Sequence, residues 1–173
     1  EVTFGREIFI EKNDFMIDPP KKYFRMFPGN EVRFKGAYFL TCTSYETDEN
    51  GEVTCIHCTY DPATKGGNSN DGRKVKGTIH WVSADICDTV KVNLYEPLFT
   101  IRNTGDIPED KTYNDYLNPE SVLEIKGAKI EKDTDMTPGT KYQFVRLGYY
   151  VVDSKYEGTF NRVVSLKDSY KPE

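Results

Sequence analysis

The chain has 173 residues, enough for one domain or two small ones. Its formal net charge of −5 excludes a protein that coats nucleic acid over its whole surface, although a local basic face is compatible with that total. No run approaches the ~20 apolar residues of a membrane helix, and no stretch has the charged-then-apolar pattern of a secretory signal. The aromatic content of 13% favours β-structure, because bulky flat side chains fit a half-buried pleated surface.

The N-terminal region predicts strands on either side of a basic, aromatic segment. Residues 4–11 alternate in the manner of a strand, and residues 31–40 resume the alternation. Between them, Lys21–Asn30 mixes basic and aromatic side chains and ends in a Pro-Gly turn. From Lys21 to Lys35 there are five basic residues and one acid, Glu31. This is the strongest positive cluster of the chain.

Residues 39–60 predict a β-hairpin. Its tip holds an Asn50-Gly51 pair, which predicts a type I′ turn because both central residues of that turn take positive φ. Acidic side chains crowd the tip, so we expect it to face away from any RNA: Glu46, Asp48, Glu49 and Glu52.

The stretch Asp71–Ala84 joins a basic turn to a strand. The turn carries three cations between two glycines: Arg73, Lys74 and Lys76. The strand-like residues 78–82 carry the only tryptophan, Trp81. A basic turn beside an aromatic strand can grip an anionic polymer, although solvated hairpins commonly have the same pattern.

The second half of the chain predicts further short strands. Residues 102–118 are polar and turn-rich, which indicates a surface excursion with a short helix near 114–117. Four β-prone runs lie around it, at residues 87–99, 119–132, 141–153 and 160–166. A Thr-Pro-Gly-Thr turn at residues 137–140 precedes the third of these runs. Many short strands with turn punctuation and almost no helical pattern predict an all-β protein built as barrels or a sandwich.

Catalytic and metal-binding motifs are missing from the sequence. His57 and His80 both lie in strand-like runs, where a packing or surface role is the common one. No serine-nucleophile, zinc-protease or phosphate-loop motif occurs. Cys55 and Cys58 have the spacing of a zinc knuckle, but residues three apart on a strand point to opposite faces. We expect no metal site and four reduced thiols: Cys42, Cys55, Cys58 and Cys87.

Three segments mix aromatic and cationic side chains: residues 23–25, 33–35 and 143–146. Single-stranded RNA is gripped by aromatic rings that stack on bases and by cations near the phosphates. By composition alone, an ordinary strand surface is the more common explanation of such segments.

Specific motifs resemble the C-terminal anticodon-binding region of glutaminyl-tRNA synthetases, nearly from end to end. They include Cys58-Thr59-Tyr60-Asp61, Gly77-Thr78-Ile79-His80-Trp81-Val82-Ser83 and Tyr142-Gln143-Phe144-Val145-Arg146-Leu147-Gly148-Tyr149, together with residues 19–38, 93–99 and 160–168. The resemblance implies two small β-barrels, the second inserted into the first, that clasp the anticodon loop of glutamine tRNA. Residues 24–96 would form the inserted distal barrel, and residues 1–23 with 97–173 the proximal one.

The resemblance also implies a larger parent. That parent is a class I glutamine-tRNA ligase that attaches glutamine to tRNA with ATP and Mg²⁺, in the cytoplasm and as a monomer. The ATP-binding signatures belong to an upstream catalytic domain and are absent here, so this chain is expected to be a fragment without cofactor, lacking the upstream strands of the proximal barrel. Its implied partners are glutamine tRNA and its own catalytic domain, with no membrane.

The resemblance assigns anticodon contacts to six residues: Lys22, Arg25, Arg33, Lys35, Gln143 and Arg146. Val145 stands where the family has an acidic residue, and the family varies in residue type at Lys22 and Phe24. The basic turn adds candidate phosphate contacts at Arg73, Lys74 and Lys76.

Two alternatives stay open at this point. One is the equivalent region of an archaeal- or eukaryotic-type glutamyl-tRNA synthetase, although residues 77–83 fit the glutaminyl version better. The other is a β-module that binds carbohydrate or protein through its tyrosines. Salt distinguishes this second alternative from RNA binding, because phosphate contacts make affinity fall steeply as salt rises.

Overall fold

The structure is a computed structural model that describes residues 2–66 and 68–166. In these ranges the regular structure is β-strand apart from four single-turn 3₁₀ helices, so the all-β prediction is confirmed. The chain divides into two compact units, residues 1–86 and 87–173. The insertion of one barrel into another stays a prediction. No helix in the described ranges is long and apolar enough to cross a membrane.

The first unit contains two sheets. The larger has the strand order β4-β3-β2-β5, with β2 and β5 parallel, and the smaller pairs β1 with β6. The strands are β1 (Ile8–Ile10), β2 (Glu31–Phe34), β3 (Phe39–Thr47), β4 (Val53–Asp61), β5 (Thr78–Ile79) and β6 (Trp81–Ser83). The predicted strand over 78–82 is therefore divided at His80 between the two sheets, and the one over 4–11 is shorter than expected.

The core of this unit lies on one face of the larger sheet. Val32 and Phe34 alternate inward along β2 and are at most 1% exposed. Trp81 packs in the same core, and its indole N–H donates to the carbonyl oxygen of Lys35 at 3.0 Å. The suggestion that the tryptophan strand offers an aromatic surface to an anionic polymer is thus wrong, because the indole ring is buried in the core and its N–H is already hydrogen-bonded within the protein.

The β3–β4 hairpin is confirmed, but its turn is not type I′. Only Gly51 takes positive φ there, at 82°, and its N–H donates to the carbonyl of Asp48 at 3.0 Å. The Asp48 carboxylate accepts the N–H groups of Asn50 and Glu52 at 2.9 and 2.8 Å. This side-chain capping favours a three-residue turn with one left-handed glycine.

The second unit is one five-stranded sheet in the order β8-β7-β11-β10-β9, with β7 and β11 parallel. Its strands are β7 (Cys87–Tyr95), β8 (Val122–Glu131), β9 (Lys141–Phe144), β10 (Gly148–Val152) and β11 (Thr159–Ser165). The β-prone run 141–153 is a tight hairpin rather than a single strand. A 3₁₀ helix at Tyr113–Tyr116 confirms the short helix expected near 114–117. Lys167 and Asp168, which end one of the family motifs, lie outside the described residues.

Candidate functional site

Lys22 and Arg25 lie where the basic segment folds back on residues 13 and 14. Lys22 is exposed in a turn closed by the Tyr23 N–H and the Pro20 carbonyl at 3.2 Å, and its φ is 70°. The Arg25 guanidinium donates to the Asn13 carbonyl at 3.0 Å and lies 3.0 Å from Asp14 Oδ1. Asp14 is fully buried, whereas the Arg25 side chain stays 41% exposed. Arg25 therefore contributes to the fold while part of its side chain still faces solvent.

Arg33 and Arg73 meet at one aromatic ring. Arg33 on β2 is the cross-strand partner of Phe39 on β3. Both guanidinium groups lie 5.3 Å from the Phe39 ring centre, which is cation–π distance. Phe39 is 1% exposed, on the face of the sheet opposite the core. The two basic segments predicted separately from the sequence therefore join here.

Three carboxylates surround the Arg73 guanidinium. Its Nε lies 2.9 Å from Glu31 and one terminal nitrogen 2.5 Å from Asp61, while the other contacts Asp71. The Arg73 N–H, the Ser69 hydroxyl and the Arg73 side chain lower the pKa of Asp71 to about 2. The Arg73 guanidinium is also the main cause that lowers the pKa of Asp61. Arg73 thus ties the basic turn to the sheet, and it neutralises the single acid of the 21–35 cluster.

A second junction joins Phe24 to the end of the basic turn. The Lys76 ammonium lies 5.2 Å from the centre of the Phe24 ring, which is 49% exposed. At Gly77 a Cβ would lie only 2.0 Å from the Phe24 carbonyl oxygen, so the backbones approach as closely as glycine allows. Lys35 and Lys74 are exposed on the segments that these contacts connect.

Gln143 and Arg146 lie on the β9–β10 hairpin of the second unit. Gln143 is exposed on β9 and pairs in register with Tyr149 on β10. Arg146 is in the turn, not in a strand as the β-prone run suggested, and its φ is 68°. The Leu147 N–H closes this turn on the Phe144 carbonyl at 3.0 Å.

Sequence reasoning missed the residues that organise these cations. Phe39, Glu31 and Asp61 lie in three different strands, and no local spacing connects them with Arg73. From the sequence, only the cation-rich runs themselves, residues 21–35 and 73–76, could be identified. The Cys55–Cys58 motif lies on β4, where Cys55 opposes Glu46 and Cys58 opposes Cys42. The described residues contain no group of three or more His, Cys, Asp or Glu that can hold a metal ion.

Two family models match the chain, and both describe the anticodon-binding domain of class I tRNA synthetases (E and Q). One covers residues 1–61 and the other residues 78–153. Among curated relatives, the glutamine–tRNA ligase of Clostridium perfringens is 53% identical over 98% of this chain, that of Clostridioides difficile 50% over 99%, and that of Vibrio cholerae 43% over 98%. In each case the chain spans 31% of the relative's length.

Proposed function

Because the chain belongs to the anticodon-binding domains of class I tRNA synthetases (E and Q), we propose that it binds the anticodon loop of glutamine tRNA. The observation that carries this proposal is the joining of two basic segments around Phe39 and Phe24 in a chain of net charge −5. A local cationic surface that includes one exposed ring, that of Phe24, suits a single-stranded RNA loop, whose phosphates attract cations and whose unstacked bases stack on aromatic rings.

The proposed contacts divide by chemistry. Arg25, Arg33, Gln143 and Arg146 have hydrogen-bonding groups that can read the edge of a base. Lys22, Lys35, Lys74 and Lys76 are point charges suited to phosphates. Arg73 mainly holds the basic turn in place through its three carboxylate partners, because a phosphate would have to displace them to bind its guanidinium. The acidic β3–β4 tip faces away from the RNA, since its carboxylates repel phosphate.

The remainder of the parent carries out the reaction. The parent is a class I glutamine-tRNA ligase that esterifies glutamine to its tRNA with ATP and Mg²⁺, in the cytoplasm and as a monomer. ATP and Mg²⁺ are assigned to its catalytic domain, which is also the partner of this chain. Residues 24–96 would form the inserted distal barrel, and residues 1–23 with 97–173 the proximal barrel.

The proposal is tested by titrating the 173-residue chain into a fluorescently labelled anticodon stem-loop of glutamine tRNA at several salt concentrations. Affinity should fall as salt rises, with a log–log slope of several units if several phosphates are contacted. The matched control is the same stem closed by an unrelated loop. Equal binding to both hairpins, or binding indifferent to salt, contradicts the proposal.

A further inference from the structure

The two faces of the β9–β10 hairpin differ in composition. One face packs aromatic rings into the core: the Phe144 and Tyr150 rings stack with centres 4.6 Å apart, and Phe160 lies 5.3 Å from Phe144. Tyr142 joins the same cluster. These rings hold one face of the hairpin in the core of the sheet to which β9 and β10 belong, so residues on the opposite face project from a packed support.

The opposite face displays one tyrosine that the fold does not use. Tyr149 is 45% exposed and lies directly opposite Gln143 in the β9–β10 register. Within residues 2–66 and 68–166, no hydrogen bond or ring contact engages its side chain. Directly paired residues on neighbouring strands have their Cβ atoms about 4.5–5.5 Å apart, so the side chains of Gln143 and Tyr149 leave the sheet side by side on the same face.

The backbone around Tyr149 is closely constrained. A Cβ at Gly148 would lie 2.4 Å from the Val164 carbonyl oxygen, so β10 and β11 approach each other there as only glycine permits. A register shift follows between Tyr149 and Tyr150: Tyr149 pairs with Val164, and Tyr150 with Arg162. The extra residue of this shift, Val163, is on β11, and along β10 the ordinary alternation of a strand points Tyr150 into the core and Tyr149 away from it.

The electrostatics of the hairpin favour an anionic ligand. Residues 141–152 contain two cations, Lys141 and Arg146, and no acid, whereas the whole chain carries a net charge of −5. Lys141 lies two residues before Gln143 and so on the same face of β9. An amide, a flat ring and two cations on one small hairpin suit an unpaired nucleotide better than an apolar protein segment, which has no use for the charges.

We propose that Tyr149 is the stacking platform for one unpaired base of the bound loop, whose edge is hydrogen-bonded by the neighbouring Gln143. This inference rests on the proposed function and adds a residue that determines how the base is held. The ring supplies a sequence-tolerant π-face, and the amide of Gln143 supplies one donor side and one acceptor for the base edge. Stacking should make Tyr149 matter for affinity without changing the number of phosphates contacted.

The test compares Tyr149→Phe, Tyr149→Leu and Tyr149→Ala in the whole chain, with the anticodon stem-loop as probe. The affinity of the Tyr149→Leu and Tyr149→Ala variants should be about tenfold or more below that of the wild type, because one base stack is lost. The affinity of Tyr149→Phe should stay within about twofold of the wild type. The salt slope should be unchanged in all three. Tyr113→Ala is the matched control: Tyr113 is 60% exposed but lies between Asp110 and Asp115, and its loss should have no effect.

A double-mutant cycle with Gln143→Ala measures the coupling of the two residues. If they hold one base, the double variant should lose less affinity than the two single losses combined. Full affinity of Tyr149→Ala, in a wild type that still prefers the cognate loop, overturns this inference and leaves the proposed function standing. A wild type that binds no hairpin at all overturns the proposed function itself.

A cross-linking experiment reports on stacking directly. Hairpins with 5-iodouridine at each loop uridine in turn are irradiated in complex with the chain, and the adducts are mapped by mass spectrometry. We expect an adduct on Tyr149 from one loop position, lost in Tyr149→Leu. Adducts confined to other residues contradict stacking on this ring.

Discussion

Lys22 and Arg146 share one unusual backbone conformation. Each is the third residue of a four-residue turn, with φ of 70° and 68°, where glycine is the residue that fits without steric cost. Among the described residues only Asp133 also takes positive φ without being glycine. A side chain in this region costs roughly 1–3 kcal/mol, so the fold accepts strain at two of the six residues proposed to contact the anticodon.

Replacing Arg146 separates this strain from binding. Arg146→Gly relieves it and Arg146→Ala does not, so the Gly variant should be the more stable of the two by about 1 kcal/mol in urea unfolding. Both variants should lose RNA affinity equally, because both lack the guanidinium. Lys141, in β9 of the same hairpin, provides the control: there the Lys141→Ala variant should be more stable than Lys141→Gly, because glycine destabilises a strand. An Ala variant at 146 that equals or exceeds Gly would show that strain does not act there.

Arg25 should matter for folding as well as for RNA. Its guanidinium lies 3.0 Å from the fully buried Asp14 carboxyl group, so Arg25→Ala removes this ion pair from the interior of the fold. We expect a loss of about 1–3 kcal/mol in the free energy of unfolding. Urea unfolding followed by the buried Trp81 measures it, with the exposed neighbour Lys21→Ala as the unaffected control. Unchanged stability of Arg25→Ala would mean that the ion pair is dispensable and that Arg25 serves RNA alone.

Arg73 should contribute to stability in a pH-dependent way. Its N–H and side chain depress the pKa of Asp71 to about 2, and its side chain lowers the pKa of Asp61. A depressed carboxyl pKa stabilises the fold above the ordinary Asp value of about 3.9 and stops doing so as pH falls through the folded value. Arg73→Ala should therefore be less stable than the wild type at pH 6.

The difference between these two proteins should narrow as pH falls from about 4 towards 2, because the carboxylates that Arg73 stabilises become protonated. Urea midpoints measured across that range check the prediction. Asp71→Asn should show part of the same narrowing. A difference that is constant with pH would mean that Arg73 stabilises the fold by packing on Phe39 instead of by its ion pairs.

The lysines of the basic turn should affect the salt dependence of RNA binding. Each of Lys74→Ala and Lys76→Ala should reduce the log–log salt slope of RNA binding by about 0.7–0.9, the loss of one phosphate contact. Lys12→Ala is the matched control, because Lys12 pairs with Glu52 on the acidic hairpin and should leave the slope unchanged. Slopes that are unchanged in both turn variants would remove these lysines from the RNA contacts.

The sequence predicted the fold class and the strongest hairpin, because alternation and turn residues are local signals. It did not predict that residues 78–82 divide between two sheets, since that depends on parallel pairing of β5 with β2 and antiparallel pairing of β6 with β1. The sequence also placed Arg146 in a strand. The turn at Arg146 has positive φ at a residue that is not glycine, so no typical turn residue marks it within the β-prone run.

The candidate site was predictable as a composition but not as an arrangement. A count of cations found Lys21–Lys35 and Arg73–Lys76. The contacts that join them pass through Phe39, Phe24 and Gly77, whose separations along the chain carry no periodic signal. The tryptophan beside the basic turn was misleading for the same reason, because only the tertiary structure decides whether an aromatic ring is buried.

The most direct test of anticodon recognition compares two hairpins at one salt concentration. One carries the anticodon loop of glutamine tRNA, and the other differs only in the middle anticodon base. The wild-type chain should prefer the first about tenfold or more, equivalent to ~1.4 kcal/mol, and Arg146→Ala should lose that preference. Equal affinity of the wild-type chain for both hairpins would contradict anticodon readout by these residues.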